Sequence, residues 1–186
     1  FCKNPLTIYG KSKLECEHYG KKYDNDFLDF RCVRFPGIIS ATSTPSGGTS
    51  DFAPEMLHCA AKNKKYNCFV HKKSQIPFIV MPDAINAILK IMSAKKTSLS
   101  QTVYNITSFN PSPAEFFKAI KLYFKDSTLS YNVNSARQNI ISSWPSDVND
   151  SLAKNEWDWK PSYNLNDTID KYLLPSINSN NEDKND

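Results

Sequence analysis

A tyrosine and a lysine stand four residues apart near the start of the sequence, in Tyr9-Gly10-Lys11-Ser12-Lys13. At that spacing on a helix, two side chains lie one above the other on the same face. A phenol with an ammonium beside it is a proton-transfer unit, because the positive charge favours the phenolate over the phenol. General-base work near neutral pH needs such help, since a free tyrosine titrates near ~10. A second candidate is the run Pro45-Ser46-Gly47-Gly48-Thr49-Ser50-Asp51, small residues just ahead of a helix start. Backbone N–H groups in such a place can approach a carboxylate closely. Both signals also have plain structural readings: an incidental pair on a solvated helix face, and a turn whose Asp51 is only a helix cap.

These residues need elements to hold them. Periodicity predicts a helix over 9–24, with Leu14, His18 and Tyr19 spaced for burial. Residues 28–35 read as a strand buried on both faces, broken by Pro36-Gly37. Ser50 or Asp51 caps a helix carrying Met56, Leu57 and Ala60, and short strands follow at 66–70 and 76–81. Pro82 sits in the first turn of a helix with Ile85, Ile88, Leu89 and Met92, ahead of a strand over 102–107. Ser112 caps a helix carrying Phe116, Phe117, Ile120 and Phe124. The remainder reads as a strand over 128–132 and helices near 135–142, 150–156 and 166–174, then a polar, acidic tail expected to be disordered. Alternating strands and helices predict an α/β fold with a small C-terminal lobe.

Composition excludes several classes. The net charge of +4 comes mostly from scattered lysines, and the arginines are Arg31, Arg34 and Arg137, too sparse for a nucleic-acid footprint. No run approaches the ~18 apolar residues of a membrane span. Cys2, Cys16, Cys32, Cys59 and Cys68 show no CxxC spacing and form no metal-ligand cluster with His18, His58 and His71, so no metal is expected. Cys16, Cys32 and Cys59 fall in predicted helices and a strand, which suits buried, reduced thiols. No GxGxxG or GxxGxxG turn occurs anywhere.

Taken in order, Tyr9-x-x-x-Lys13, Arg34-Phe35-Pro36-Gly37 and Met81-Pro82-Asp83-Ala84 resemble the extended short-chain dehydrogenase/reductase superfamily. Within it the chain is similar to the L-threonine 3-dehydrogenases, on the segments 34–40, 45–53, 77–83, 103–107, Arg137-Gln138, Ser143-Trp144-Pro145, Asp150-Ser151 and Trp157-Asp158-Trp159-Lys160. The resemblance implies the C-terminal part of a Rossmann-like, doubly wound parallel sheet with a small α/β substrate-binding lobe. Residues 1–40 would end the NAD-binding domain and carry the Tyr-Lys helix. Residues 41–175 would form the lobe, interleaved with the last Rossmann elements, and 176–186 the tail. It implies NAD-dependent oxidation of L-threonine to 2-amino-3-oxobutyrate, with Tyr9 as base and Lys13 holding the nicotinamide ribose. Phe35, Pro36, Gly37 and Ile38 would line the nicotinamide pocket, and Gly48, Thr49 and Trp144 would meet the substrate. A homodimer through the Tyr-Lys helix and its neighbour is implied as well, with a mitochondrial location in eukaryotes and a cytoplasmic one otherwise.

Departures accompany the resemblance. The Gly-rich turn, the acidic residue that selects the adenine ribose and the usual Ser or Thr ahead of the tyrosine would all lie upstream, so this chain alone is expected to be an incomplete, inactive portion of the enzyme. Ser46 stands where the family often has glycine, at a cost if that position needs a positive φ. Two other readings remain open: an NDP-sugar epimerase or dehydratase of the same fold, and a non-catalytic remnant. Arg137 is read as a surface residue, a lobe anchor or a substrate contact, and Trp157 and Trp159 as packing for the C-terminal lobe. Asp83 is expected to cap or tether a helix.

Overall fold

Helix α1 (Ile8–Tyr23) starts at Thr7, whose hydroxyl accepts the Gly10 N–H at 3.0 Å. It ends with Lys21 and Lys22 in its last turn, where cations complement the carbonyl end of the helix dipole. The expected span is off by one residue at each end, but the expected inward face differs. Glu17 is buried, Leu14 is half-buried, and His18 and Tyr19 face solvent. The cause is Arg34, whose guanidinium donates two hydrogen bonds of 2.6 Å to the two Glu17 carboxylate oxygens. A bidentate pair of this kind lets a carboxylate take a position that periodicity reserves for an apolar side chain. Cys16, about 100° around the helix from Glu17, is exposed, against the expectation of burial.

The computed structural model describes residues 4–25, 27–43 and 45–177, which fall into two compact units. The first comprises residues 1–35, 85–106 and 149–160. In it, β1 (Cys32–Arg34) pairs in parallel with β5 (Val103–Asn105), Cys32 opposite Val103 and Arg34 opposite Asn105. The strand expected over 28–35 shrinks to three half-buried residues. Its lead-in is spent otherwise: the Asn25 side chain accepts the Phe27 and Leu28 N–H groups, and Asp24 accepts that of Phe30. Arg31 donates to the carbonyls of Ile91, Met92 and Ala94. The Phe30 ring lies where a Cβ on Gly20 would stand, so a larger residue at that position of α1 would force the ring to move. Tyr104 meets Trp157 edge-on at 5.8 Å, and Trp157 meets Trp159 at 5.9 Å. The tryptophans thus pack against β5 and close α6 (Ser151–Trp157), in the first unit instead of a C-terminal lobe. Burial, together with the hydrogen bond to Glu156, pushes the Tyr104 phenol up to about 12.

The second unit comprises residues 36–84, 107–148 and 161–186. It holds two parallel pairs, β2 (Gly37–Ile39) with β4 (Phe78–Val80) and β3 (Tyr66–Cys68) with β6 (Leu129–Tyr131). Its helices are α2 (Phe52–Ala61), α4 (Pro113–Ile120), α5 (Ser135–Ser142) and α7 (Leu165–Asp167). A π-helix over Thr168–Leu173 continues α7, which the periodicity does not foresee. Phe52, Met56, Phe78, Phe116, Ile120, Ile169 and Leu173 build one apolar core, with Phe52 edge-on to Phe78 at 5.7 Å. Ser112 and Glu115 form a reciprocal capping box at the start of α4, and the helix ends at Ile120, short of Phe124. Asp83, 1% exposed, accepts the Ser162 and Tyr163 N–H groups, the tether expected of it. Helix α3 (Met81–Ser93) carries Pro82 in its first turn; its residues from Ile85 onward count with the first unit. Ser176 and Ile177, expected in the disordered tail, are helical, and Ile177 is buried in the core. The rest of that tail, 178–186, lies outside the described residues.

Among the described residues the six strands are each three residues long and pair in parallel with helices between the partners, which makes the chain α/β as its sequence predicts.

Candidate functional site

Tyr9 lies in the first turn of α1 and is 72% exposed. The Lys13 ammonium stands over its ring, 5.4 Å from the centroid, within the range of cation–π attraction. The Ser12 hydroxyl between them is turned inward along the helix and donates to the Tyr9 carbonyl at 2.9 Å. The sequence-predicted pair is therefore assembled by helical spacing alone, with the phenol open to an incoming molecule. Arg34 at the end of β1 is fixed by Glu17, whose hydrogen bonds hold its guanidinium pKa above the ordinary value.

Phe35 follows in the first unit and is 41% exposed. Pro36, Gly37 and Ile38 belong to the second. The Gly37 N–H donates to the Pro77 carbonyl at 3.0 Å, its place opposite Phe78 fixes the start of β2, and Ile38 is 40% exposed.

The loop ahead of α2 is closed by its own carboxylate. One Asp51 oxygen accepts the N–H groups of Ser46 at 3.0 Å, Gly47 at 3.0 Å and Gly48 at 2.7 Å. Asp51 stands at the N-cap position of α2 but makes no side-chain cap bond, because its carboxylate is turned back into the loop. The backbone donors expected to approach a ligand carboxylate are thus committed to Asp51. Gly47 takes the positive φ, +93°, and Ser46 does not, so the serine costs nothing there. Arg137 on α5 donates to the Gly47 carbonyl and stacks its guanidinium 4.1 Å from the Phe69 ring centroid. It is an anchor through a carbonyl and an aromatic face, and no ion pair of Arg137 occurs among the described residues. Thr49 is half-buried. Trp144 follows α5, its N–H on the Ile141 carbonyl and its side chain partly exposed; among the described residues no hydrogen bond joins it to Gly48 or Thr49. Asp51, Phe69 and the carbonyl partner of Arg137 carry no local sequence signal of these roles.

The model of the NAD dependent epimerase/dehydratase family matches residues 1–107. The chain belongs to that family. Its family membership brings NAD as cofactor, and the exposed Tyr9 hydroxyl and Lys13 ammonium are donors of the kind that ribose hydroxyls accept from. Among relatives, the mitochondrial L-threonine 3-dehydrogenase of Sus scrofa is 37% identical over 172 residues, covering 92% of this chain and 46% of the relative. The L-threonine dehydrogenase structure from Clostridium difficile superposes with a TM-score of 0.92 at 34% identity, over 97% of this chain and 57% of that one. The L-threonine 3-dehydrogenase of Trypanosoma brucei gives 0.87 at 40% identity, over 94% and 54%. The chain thus spans about half the length of the curated relatives it matches. Among the described residues, no helix is long and apolar enough to cross a membrane.

Proposed function

We propose that the protein carrying this chain oxidises L-threonine to 2-amino-3-oxobutyrate. The observation that carries this reading is the Tyr9–Lys13 pair, held exposed at helical spacing in a chain similar to threonine dehydrogenases over nine-tenths of its length. Tyr9 takes the proton of the substrate's β-hydroxyl. Lys13 binds ribose hydroxyls and keeps a positive charge beside the phenol oxygen as that proton arrives. Bound NAD+ would supply the hydride acceptor for the substrate's β-carbon, so that the C–H bond breaks as Tyr9 takes the hydroxyl proton and the carbonyl forms. Phe35, Pro36, Gly37 and Ile38 are assigned to the cofactor, and Gly48, Thr49 and Trp144 to the amino acid. Because the Gly48 amide is committed to Asp51, Thr49 supplies the polar contact from that loop through its side chain.

Two further assignments rest on the same likeness. The protein pairs with a second copy through α1, where Ile8, Tyr19 and Tyr23 are 88%, 58% and 53% exposed. In a eukaryotic cell it works in the mitochondrion, as the names of the Sus scrofa and Bos taurus relatives state for those proteins; in a prokaryote it works in the cytoplasm.

The test is a substrate panel on the full-length protein with NAD+, reading NADH at 340 nm with L-threonine and L-serine and the sugar-nucleotide product by chromatography with UDP-glucose. Turnover selective for L-threonine supports the assignment. Conversion of the UDP-sugar with no threonine-dependent NADH moves it to sugar chemistry on the same fold.

A further inference from the structure

Helical spacing puts Lys13 beside Tyr9, but it does not say which way the pair points. That depends on how α1 is rotated about its own axis. Most of its 16 residues are exposed, and the stripe it turns inward is Gly10, Leu14, Glu17 and Gly20. Two of these have no side chain, and Leu14 is only half-buried. The glycines allow close approach, as where the Phe30 ring occupies the space beside Gly20. Rotation is normally fixed by side chains that interlock with a neighbouring element, and this stripe offers few.

Glu17 is the buried residue of the helix. Arg34 Nε donates to one of its carboxylate oxygens and Nη2 to the other, both at 2.6 Å. The carboxylate side chain is 11% exposed, so water competes with the pair only weakly. A two-pronged contact between planar groups fixes direction as well as distance. Arg34 stands on β1, whose register is set opposite Asn105 of β5. The angular position of α1 is thereby tied to the strand pair. Around the axis, Lys13 lies about 40° and Tyr9 about 80° from Glu17, on the same side of it. At about 6 Å from the axis, a turn of about 10° moves a side chain by about 1 Å. A misplacement of that size can cost about 10² in rate.

We propose that Glu17 and Arg34 are positioning residues, which set the rotation of α1 and so aim the Tyr9 hydroxyl and the Lys13 ammonium. The role of Tyr9 in this rests on the dehydrogenase reading above, whereas that of Lys13 needs only the family's cofactor.

The experiment compares Glu17→Gln, Arg34→Lys and the double variant Glu17→Leu/Arg34→Met with the parent, all as full-length protein. Each is measured for melting temperature, for NAD+ affinity by fluorescence titration, and for kcat with L-threonine and its C3-deuterated form. The single variants keep the size of the side chain and lose the two-pronged contact. The double variant replaces the buried pair with apolar side chains, a change that is often neutral or stabilising. Each variant should bind NAD+ about tenfold more weakly and lose about 10- to 10²-fold in kcat, with the threonine KM unchanged. The isotope effect on kcat should grow, as hydride transfer becomes the slow step. The double variant should regain the parent's melting temperature without regaining kcat. Parent-like kcat and NAD+ affinity in the double variant would overturn the proposal and leave the pair as packing. If the double variant does not fold, the same two values in Glu17→Gln decide. A parent that binds NAD+ but leaves L-threonine unoxidised counts against the dehydrogenase reading instead, and NAD+ affinity alone then judges the pair.

Discussion

The Tyr9–Lys13 edge and the Pro45–Asp51 loop were both singled out by residue type, yet they are built in opposite ways. The first is made by five consecutive residues on one helix, and its geometry follows from 3.6 residues per turn. The second is made by residues far apart in the chain: Asp51 gathers three backbone N–H groups, and Arg137, 90 residues on from Gly47, clamps the loop from α5 while stacking on Phe69. Chemistry placed on a helix turn is local and legible. Chemistry placed on a loop depends on partners that sequence spacing does not reveal, and one of those partners can occupy the very donors a ligand is expected to use.

That contrast can be broken by substitution. The largest effect is expected at the helix edge. Lys13→Met should lower threonine-dependent turnover of the full-length protein by about 10² or more and weaken NAD+ binding, with the melting temperature unchanged, because the side chain is on an exposed helix face. A melting shift of several degrees would mean that the pair is structural.

A smaller effect is expected at the loop. Arg137→Ala removes both the Gly47 carbonyl's donor and the ring stacking, at about 1–2 kcal/mol. Hydrogen exchange at Ser46–Gly48 should quicken and the threonine KM should rise, while the NAD+ KM stays put. Arg137→Lys should not rescue it, since an ammonium lacks the planar face that lies on Phe69. Unchanged exchange in Arg137→Ala would show that Asp51 holds the loop alone.

The smallest effect serves as a baseline away from both regions. The backbone N–H and then the hydroxyl of Ser112 hold the Glu115 carboxyl below its ordinary value of 4.5. A carboxyl depressed in the folded state adds stability above its unfolded pKa, and that share is lost as pH falls through the folded value. Ser112→Ala should cost about 1 kcal/mol at pH 7 and less at pH 3, read by denaturant melts at the two values. An equal loss at both would assign the cap to the neutral hydroxyl alone.

Much of the fold is written in local signals. The Ser112–Glu115 box, Pro82 in the first turn of α3, and helices α1 and α5 follow from caps and periodicity. The errors share one cause, a distant partner that changes what a position needs. Arg34 turns Glu17 inward where His18 was expected, and Asn25, Asp24 and the carbonyls at the end of α3 draw residues 27–31 out of the strand. At the site, Tyr9 and Lys13 are legible because five consecutive residues carry them. The roles of Asp51 and Arg137 are not, because each depends on contacts that only the fold makes.

The measurement that bears most directly on the central claim is the turnover of Tyr9→Phe in the full-length protein, with L-threonine and NAD+ saturating. Removing one hydroxyl from a side chain that is 72% exposed should leave folding and NAD+ binding intact, yet lower kcat by about 10²–10⁴ if Tyr9 takes the substrate's proton. Turnover within a few-fold of the parent protein would contradict the account and leave the Tyr9–Lys13 pair as an ordinary feature of an exposed helix.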